Sequence, residues 1–144
     1  MRPSDTDLRA LFSRARTIAI VGLSDKPDRD SNEIARYLAS HGYQIVPVNP
    51  TAPAVLGERS YPSLRAIPAE RPVDLAVVFR RREDVPGIAR DAVARGIPVL
   101  WMQLGIESPE GAAIMRAAGG TAIEDACIMT QHRRLGLGAL APEG

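Results

Sequence analysis

Short apolar runs, rich in β-branched residues, recur along this chain and alternate with longer segments of helical periodicity. Runs this short and apolar throughout are typical of strands covered on both faces, as in a parallel sheet. Alternating strands and helices predict βαβ units, whose right-handed crossovers bring the carboxyl ends of all strands to one edge. The predicted strands span residues 17–21, 44–48, 75–79, 99–102 and, more weakly, 121–123.

The segments between these strands carry helix start and stop signals. Ser4 is the predicted N-cap of a helix before the first strand. Gly42 ends the second helix, Pro86 and Gly96 bound the third, and Pro109 opens the fourth. The pattern predicts an α/β fold, a doubly wound, mainly parallel sheet of about five strands with helices on both faces.

The chain shows neither an internal repeat nor a linker, so we predict a single domain over residues 1–135 and a flexible tail over residues 136–144. Residues 51–71 are less regular and rich in proline. A short strand near residues 59–61 and a helical turn from Ser63 are expected in this stretch.

The composition argues against several classes of function. The 144 residues carry a net charge of +1, which gives no general case for nucleic acid as a partner. One cysteine and two histidines argue against a disulfide framework and a metal site. No apolar run approaches the ~20 residues of a membrane span, and the N-terminus does not resemble a signal peptide. We therefore expect a cytoplasmic protein with a small-molecule ligand and no membrane partner.

Ligands of a doubly wound sheet bind beyond the carboxyl ends of the strands, where the strand order reverses. Residues 22–31 join the first strand to a helix N-terminus, whose free amides suit a phosphate. Lys26, the one lysine among 18 basic residues, lies there. The alternative is a solvated turn, because aspartates outnumber the two cations of this segment. The candidate phosphate-binding residues are Gly22, Ser24, Lys26, Arg29 and Ser31.

This loop is not a dinucleotide fingerprint, which needs G-x-G-x-x-G and an acidic residue at the end of the second strand. That strand ends instead at Val48-Asn49-Pro50, which disfavours NAD. The third strand is followed by Phe79, whose ring suits the face of a base, and by Arg80, which suits an anion. The two arginines that follow are weaker candidates.

Three further residues have reactive or aromatic side chains, but the sequence places no catalytic partner at a recognisable spacing from them. Trp101 and Cys127 are expected in the core, and His132 is expected to face solvent on a terminal helix. Neither a carboxylate pair nor a Ser-His-Asp arrangement follows from the spacing. The sequence therefore predicts a binding edge without catalytic residues.

Several stretches have the order and spacing of a known family. They are residues 20–24, Lys26-Pro27 and Arg29, then 37–38, 41–43, 47–50, 56–58, 61–64, 78–81, 101–106 and 127–128. Together, over residues 8–135, the chain resembles the stand-alone CoA-binding domain family. These small proteins are similar to the N-terminal CoA-binding domain of the succinyl-CoA synthetase alpha subunit.

The resemblance implies a Rossmann-like sheet that binds coenzyme A at its carboxyl edge, with the pyrophosphate at the 22–31 loop. It implies that adenine and ribose lie at the ends of the second and third strands, near Val48, Asn49, Pro50, Phe79 and Arg80. The pantetheine arm is expected near Gln103, Leu104 and Gly105, in the loop after the fourth strand.

Two departures from the synthetase pattern matter. The synthetase has a lysine shortly after the proline that ends its second strand, whereas residues 50–53 here hold no cation. Arg80 or Lys26 is then the candidate for the CoA 3′-phosphate. The phosphorylated histidine of the synthetase lies in a second domain without counterpart in this sequence, so ligase chemistry is not expected.

We therefore predict a protein that binds coenzyme A or an acyl-CoA, with no catalysis evident. Three alternatives stay open. One is an enzyme that acts on a thioester or nucleotide with Cys127 as its nucleophile. The second is an NAD(P)-binding redox module in which an arginine replaces the missing carboxylate. The third is a purely structural interaction module.

Overall fold

The five apolar runs of the sequence form the five strands of one sheet. The structure is a computed structural model that describes residues 3–141. Its strands are β1 (Thr17–Val21), β2 (Gln44–Val48), β3 (Ala54–Val55), β4 (Glu58–Arg59), β5 (Leu75–Val78), β6 (Val99–Met102) and β7 (Thr121–Ile123). Five of them form a parallel sheet in the order β2-β1-β5-β6-β7, and β3 and β4 form a small antiparallel hairpin.

The helices begin and end at the signals that the sequence carries. They are α1 (Asp5–Arg14), α2 (Asp30–Ser40), α3 (Val85–Ala94), α4 (Pro109–Ala117) and α5 (Ile128–Arg134). Ser4 caps α1, its hydroxyl accepting the Asp7 N–H while the Asp7 carboxylate accepts the Ser4 N–H. Gly42 follows α2 with a φ of +96°, a conformation that favours glycine. The predicted helix boundaries are confirmed here.

Each face of the sheet is covered by a separate apolar core. Alternate residues of the central strands point to opposite faces, so Ile18, Ile20 and Trp101 pack toward α1, α2 and α5. Ala19 and Met102 pack toward α3 and α4 on the other face. Burial of both faces explains the uninterrupted apolar runs. The predicted fold, a Rossmann-like α/β domain with helices on both faces, is confirmed.

His132 is buried on the first of these faces, with only 1% of its surface exposed. Its Nδ1 lies 2.6 Å from the Tyr37 hydroxyl, and its ring meets that of Phe12 edge-on. Burial lowers the pKa of His132, and the nearby His41 lowers it further. The expectation of a solvent-facing His132 is wrong because α5 packs against α2.

The irregular stretch and the chain end are partly ordered. Tyr61 bridges to Val48, and a 3-10 turn at Leu64–Ala66 follows Ser63, as expected. Leu140 donates its N–H to the His41 carbonyl at 2.8 Å, although residues 136–141 form neither helix nor strand. Residues 142–144 lie outside the described residues, so a flexible tail stays a prediction. No helix among residues 3–141 is long and apolar enough to cross a membrane.

Candidate functional site

The strand order reverses between β1 and β5, which are neighbours in the middle of the sheet. The chain leaves β1 toward α2 on one face and leaves β5 toward α3 on the other. The two connections therefore diverge at the carboxyl edge and open a cleft between them, which is where ligands of such sheets bind.

Gly22 begins the connection after β1 and is held by its two neighbouring strands. Its N–H donates to the Val48 carbonyl at 2.9 Å, and its φ is +88°. A Cβ at this position would lie 2.7 Å from the Phe79 carbonyl oxygen and 3.1 Å from Cδ of Arg80. Both the backbone conformation and the close approach of the β5 connection thus require glycine here.

The loop of residues 22–31 is held in shape by its own side chains. The Ser31 hydroxyl accepts the Ser24 N–H at 3.0 Å, and the Ser24 hydroxyl accepts the Lys26 N–H at 3.1 Å. Asn32 donates to the Ser24 carbonyl, and Arg36 reaches the Pro27 carbonyl, both at 2.9 Å. Each serine hydroxyl keeps its own proton as a donor for an anion. The two supporting residues, on the first turns of α2, were not predicted.

The first cavity has a volume of about 550 Å³ and is lined by all five predicted phosphate-binding residues. It lies against the N-terminus of α2, where helix amides and partial positive charge favour anions. Two carboxylates also line it, so the side chains around the cavity are balanced in charge. The lining residues are Gly22, Ser24, Lys26, Asp28, Arg29, Asp30, Ser31 and Phe79.

The second cavity, of about 500 Å³, opens between the end of β2 and α3. Its walls include the predicted Val48, Pro50 and Arg80 together with Pro62, Leu64 and Ile88. The sequence did not predict the wall from α3 and the 3-10 turn, because those residues approach the β2 end only in the folded chain. Three carboxylates line this cavity as well, those of Glu83, Asp84 and Asp91.

Asn49 is predicted beside the second cavity but does not line it. Its Nδ2 donates to the Leu23 carbonyl at 2.9 Å, and its Oδ1 accepts the N–H groups of Thr51 and Ala52. The side chain thereby joins the end of β2 to the loop after β1. Asn49 positions the edges of the two cavities rather than facing into either one.

The third cavity, of about 550 Å³, lies beyond the ends of β5 and β6. Cys127, which is half-buried, lines it together with the predicted Leu104, which is 71% exposed. Gln103 also lines it but is only 4% exposed, and its Oε1 accepts the Ile128 N–H at 2.9 Å. Gly105 lies outside the lining and donates its N–H to the Asp125 carboxylate at 2.7 Å.

The three cavities share four lining residues, one of which, Asp30, borders the first and third. Gly22 borders the first and second, Phe79 the first and third, and Arg80 the second and third. The arrangement therefore forms one branched groove around the end of β5. A long ligand with three chemically distinct parts fits such a groove better than a compact one.

Trp101 and Cys127 differ in how far the expectation of burial holds. Trp101 is fully buried, and its indole N–H donates to the Ala126 carbonyl at 2.7 Å, so its assignment to the core is confirmed. Cys127 is half-buried at the rim of the third cavity. It reaches that rim because Gln103 holds the start of α5 against the end of β6.

The fold and the groove define the class of protein, a Rossmann-like α/β domain with cavities at its switch point. The chain belongs to the family described as the CoA binding domain, whose model matches residues 16–133.

The chain is also similar to individual proteins. The chain is 38% identical over 130 residues to the uncharacterized protein YneT of Bacillus subtilis (strain 168), covering 90% of this chain and 95% of that protein. It is 33% identical over 93 residues to the ADP-forming acetate–CoA ligase II of Archaeoglobus fulgidus, covering 63% of this chain and 13% of that protein. A solved structure of a hypothetical protein from Pyrococcus horikoshii OT3 has a TM-score of 0.89 and 33% identity, covering 94% of both chains.

Proposed function

We propose that this chain is a cytoplasmic protein that binds coenzyme A or an acyl-CoA in the branched groove at the carboxyl edge of its sheet. The observation that carries the proposal is the meeting of three cavities at Gly22, Phe79 and Arg80 in a member of the CoA binding domain family. Coenzyme A has three parts, an adenosine, a pyrophosphate and a pantetheine arm, and the groove offers one cavity for each.

The first cavity suits the pyrophosphate. Lys26 and Arg29 supply positive charge, and the hydroxyls of Ser24 and Ser31 supply donors beside the N-terminus of α2. Gly22 lines this cavity and has no side chain, which lets a phosphate approach the backbone there.

The second and third cavities suit the two ends of the ligand. Pro50, Pro62 and Leu64 give the second cavity flat apolar walls, which suit an adenine ring. The third cavity is lined by Ile34, Leu104, Ile106 and Met129 together with Cys127, and this apolar lining suits the pantetheine arm and its thiol or thioester. Arg80 lies between these two parts of the groove.

Titration calorimetry with coenzyme A and with NAD tests the proposal. We expect saturable binding of coenzyme A and none of NAD, since β2 ends without the carboxylate that holds the ribose hydroxyls of NAD. Clear binding of NAD together with no heat from coenzyme A would overturn the proposal in favour of a redox module.

A second candidate function is acyl transfer to Cys127, which is favoured by the position of this thiol in the third cavity. The Cys127 thiolate would attack the thioester carbonyl of an acyl-CoA, a new thioester would form, and the CoA thiolate would leave. Mass spectrometry after incubation with acetyl-CoA tests this step. Acetylation of the wild-type protein but not of the Cys127→Ser variant would support acyl transfer. If the wild-type protein stays unmodified, acyl transfer is excluded and coenzyme A binding is the one function still proposed.

A further inference from the structure

The second cavity carries its charges differently from the first. Arg80 is the one cation among the described residues that line it, whereas three carboxylates do so. The first cavity, by contrast, has two cations against two carboxylates, while each of the two cavities lies beside a helix N-terminus, that of α2 for the first and that of α3 for the second. The segment that follows β2, residues 50–53, adds no cation to the second cavity.

Arg80 is already paired with one of these carboxylates. Its Nη2 lies 3.3 Å from Oδ2 of Asp84, and its Nε lies 3.4 Å from the same oxygen. Asp91 is paired with Arg65 at 2.7 Å, and Arg81 lies 3.9 Å from Asp84. Arg65, Arg80 and Arg81 thus each have a carboxylate neighbour, and an added anion would compete with that carboxylate.

The two forms of an adenosine that differ at the ribose 3′ position would meet these charges in opposite ways. A 3′-phosphate carries nearly two negative charges, so it would compete with Asp84 for Arg80 and face the remaining carboxylates. A free 3′-hydroxyl is neutral and donates a hydrogen bond that a carboxylate accepts. The side-chain charges around the second cavity therefore favour the hydroxyl.

We propose that the second cavity accepts an adenosine whose 3′-hydroxyl is free, so that this protein binds dephospho-CoA at least as tightly as coenzyme A. The inference rests on the proposed function, since it assumes that the adenosine lies in this cavity. The inference narrows the ligand class to coenzyme A and its 3′-dephosphorylated form, with a 3′-phosphate that does not contribute to recognition. It also assigns Asp84 as the residue that repels this phosphate.

Calorimetric titration of the wild-type chain with the two ligands, at low and equal ionic strength, tests the proposal. We expect dephospho-CoA to bind with an affinity equal to or greater than that of coenzyme A. Coenzyme A binding more than about threefold tighter than dephospho-CoA would overturn the inference and leave the proposed function intact. Binding of neither ligand would overturn the proposed function, and the inference with it.

The Asp84→Asn variant identifies the cause. Asp84 is the N-cap of α3 without a side-chain capping bond, and asparagine is an equally good N-cap, so the fold should be retained. We expect the affinity for coenzyme A to rise about threefold to tenfold, because a like charge facing the phosphate is gone, and the affinity for dephospho-CoA to stay within about twofold.

Glu110→Gln is the matched control, because it removes one carboxylate of an exposed ion pair, with Arg90, outside all three cavities. This control should leave both affinities unchanged. An Asp84→Asn variant that shifts both ligands equally, or neither, would show that Asp84 does not oppose the phosphate and would overturn its assigned role. Thermal melting monitored by circular dichroism checks that both variants are folded.

Discussion

The two ends of the parallel sheet are built from the same five strands and differ in where their polar groups find partners. At the amino end, Oδ2 of Asp74 accepts the N–H groups of Arg16 and Thr17, both at 2.9 Å. Arg95 donates to the carbonyls of Ile67, Pro68 and Arg71. These bonds close the amino end with groups of the chain itself.

At the carboxyl end, by contrast, the loops diverge and leave cavities lined by donors and charges. The loop after β1 is held in shape by side chains of its own residues and of α2, and Asn49 ties it to the end of β2. The difference teaches that the amino end of the sheet contributes to stability, whereas the carboxyl end presents polar groups that line cavities and are accessible to a ligand. Substitutions at the two ends should therefore affect different measurements.

Gly22→Ala should have the largest effect and disrupt the carboxyl end. The positive φ and the contact of 2.7 Å with the Phe79 carbonyl oxygen would force the two connections apart. We expect a loss of coenzyme A affinity of about 100-fold, together with a loss of stability of about 2–3 kcal/mol.

Gly57→Ala separates the effect of a positive φ from the effect of the close contact with Phe79. Gly57 has a φ of +76° in the β3–β4 turn, but a Cβ there would meet nothing within 4 Å. This control should lose about 1 kcal/mol of stability and keep its affinity, as measured by urea unfolding and calorimetry. If both glycine variants bind coenzyme A normally, the close approach at Gly22 is not part of the site.

Asp74→Ala should disrupt the amino end and leave binding intact. Two partly buried N–H groups lose their acceptor, so we expect the free energy of unfolding to fall by about 2 kcal/mol. Asp74→Asn keeps an oxygen acceptor and should recover part of this loss. Urea unfolding measures the stability, and a coenzyme A affinity that drops in parallel would contradict the separation of the two ends.

Lys26→Ala should act on binding without acting on stability. Lys26 is exposed and lines the first cavity, so its removal should weaken coenzyme A binding by about fivefold to tenfold while the unfolding midpoint stays unchanged. Arg9→Ala removes an exposed cation from α1, away from the groove, and should change neither quantity. Equal affinities of the two variants would reduce Lys26 to a solvated surface residue.

The smallest effect concerns His132, a buried residue of α5 that contacts Phe12 and Tyr37. Its pKa is lowered in the folded protein, so the unfolded chain takes up the proton more readily. The stability from neutral His132 is fully present above about pH 6.5 and declines as the pH falls through the lowered folded pKa. Urea unfolding between pH 8 and 5, compared with His132→Gln, should show a weaker pH dependence in the variant. If both proteins show the same pH dependence of stability, that dependence arises from groups other than His132.

Local signals made most of the fold predictable. Ser4, Gly42 and Pro109 mark helix boundaries through backbone chemistry that needs only a few neighbouring residues. Burial of His132 was not predictable in this way. Its surroundings come from α1 and α2, which are distant along the chain, and polar residues flank it in α5.

The candidate site was predictable in composition but not in detail. Lys26 and its loop follow from their position after the first strand, since strand ends share one edge. The side-chain amides of Gln103 and Asn49 form hydrogen bonds with backbone groups. These bonds could not be predicted because they depend on which N–H and carbonyl groups lie nearby after folding. Asp84 and its pairing with Arg80 appear only when α3 begins beside the second cavity.

The sequence by itself determined the alternation of strands and helices, the edge of the sheet at which we propose that a ligand binds, and the loop whose residues suit a phosphate. These features depend on periodicity and on residues close in sequence, and backbone hydrogen bonding enforces them locally. Only the tertiary structure decided the branching of the groove and the balance of its charges. Both arise where segments far apart in the chain, such as Val48, Arg80 and Asp91, converge at one edge of the sheet.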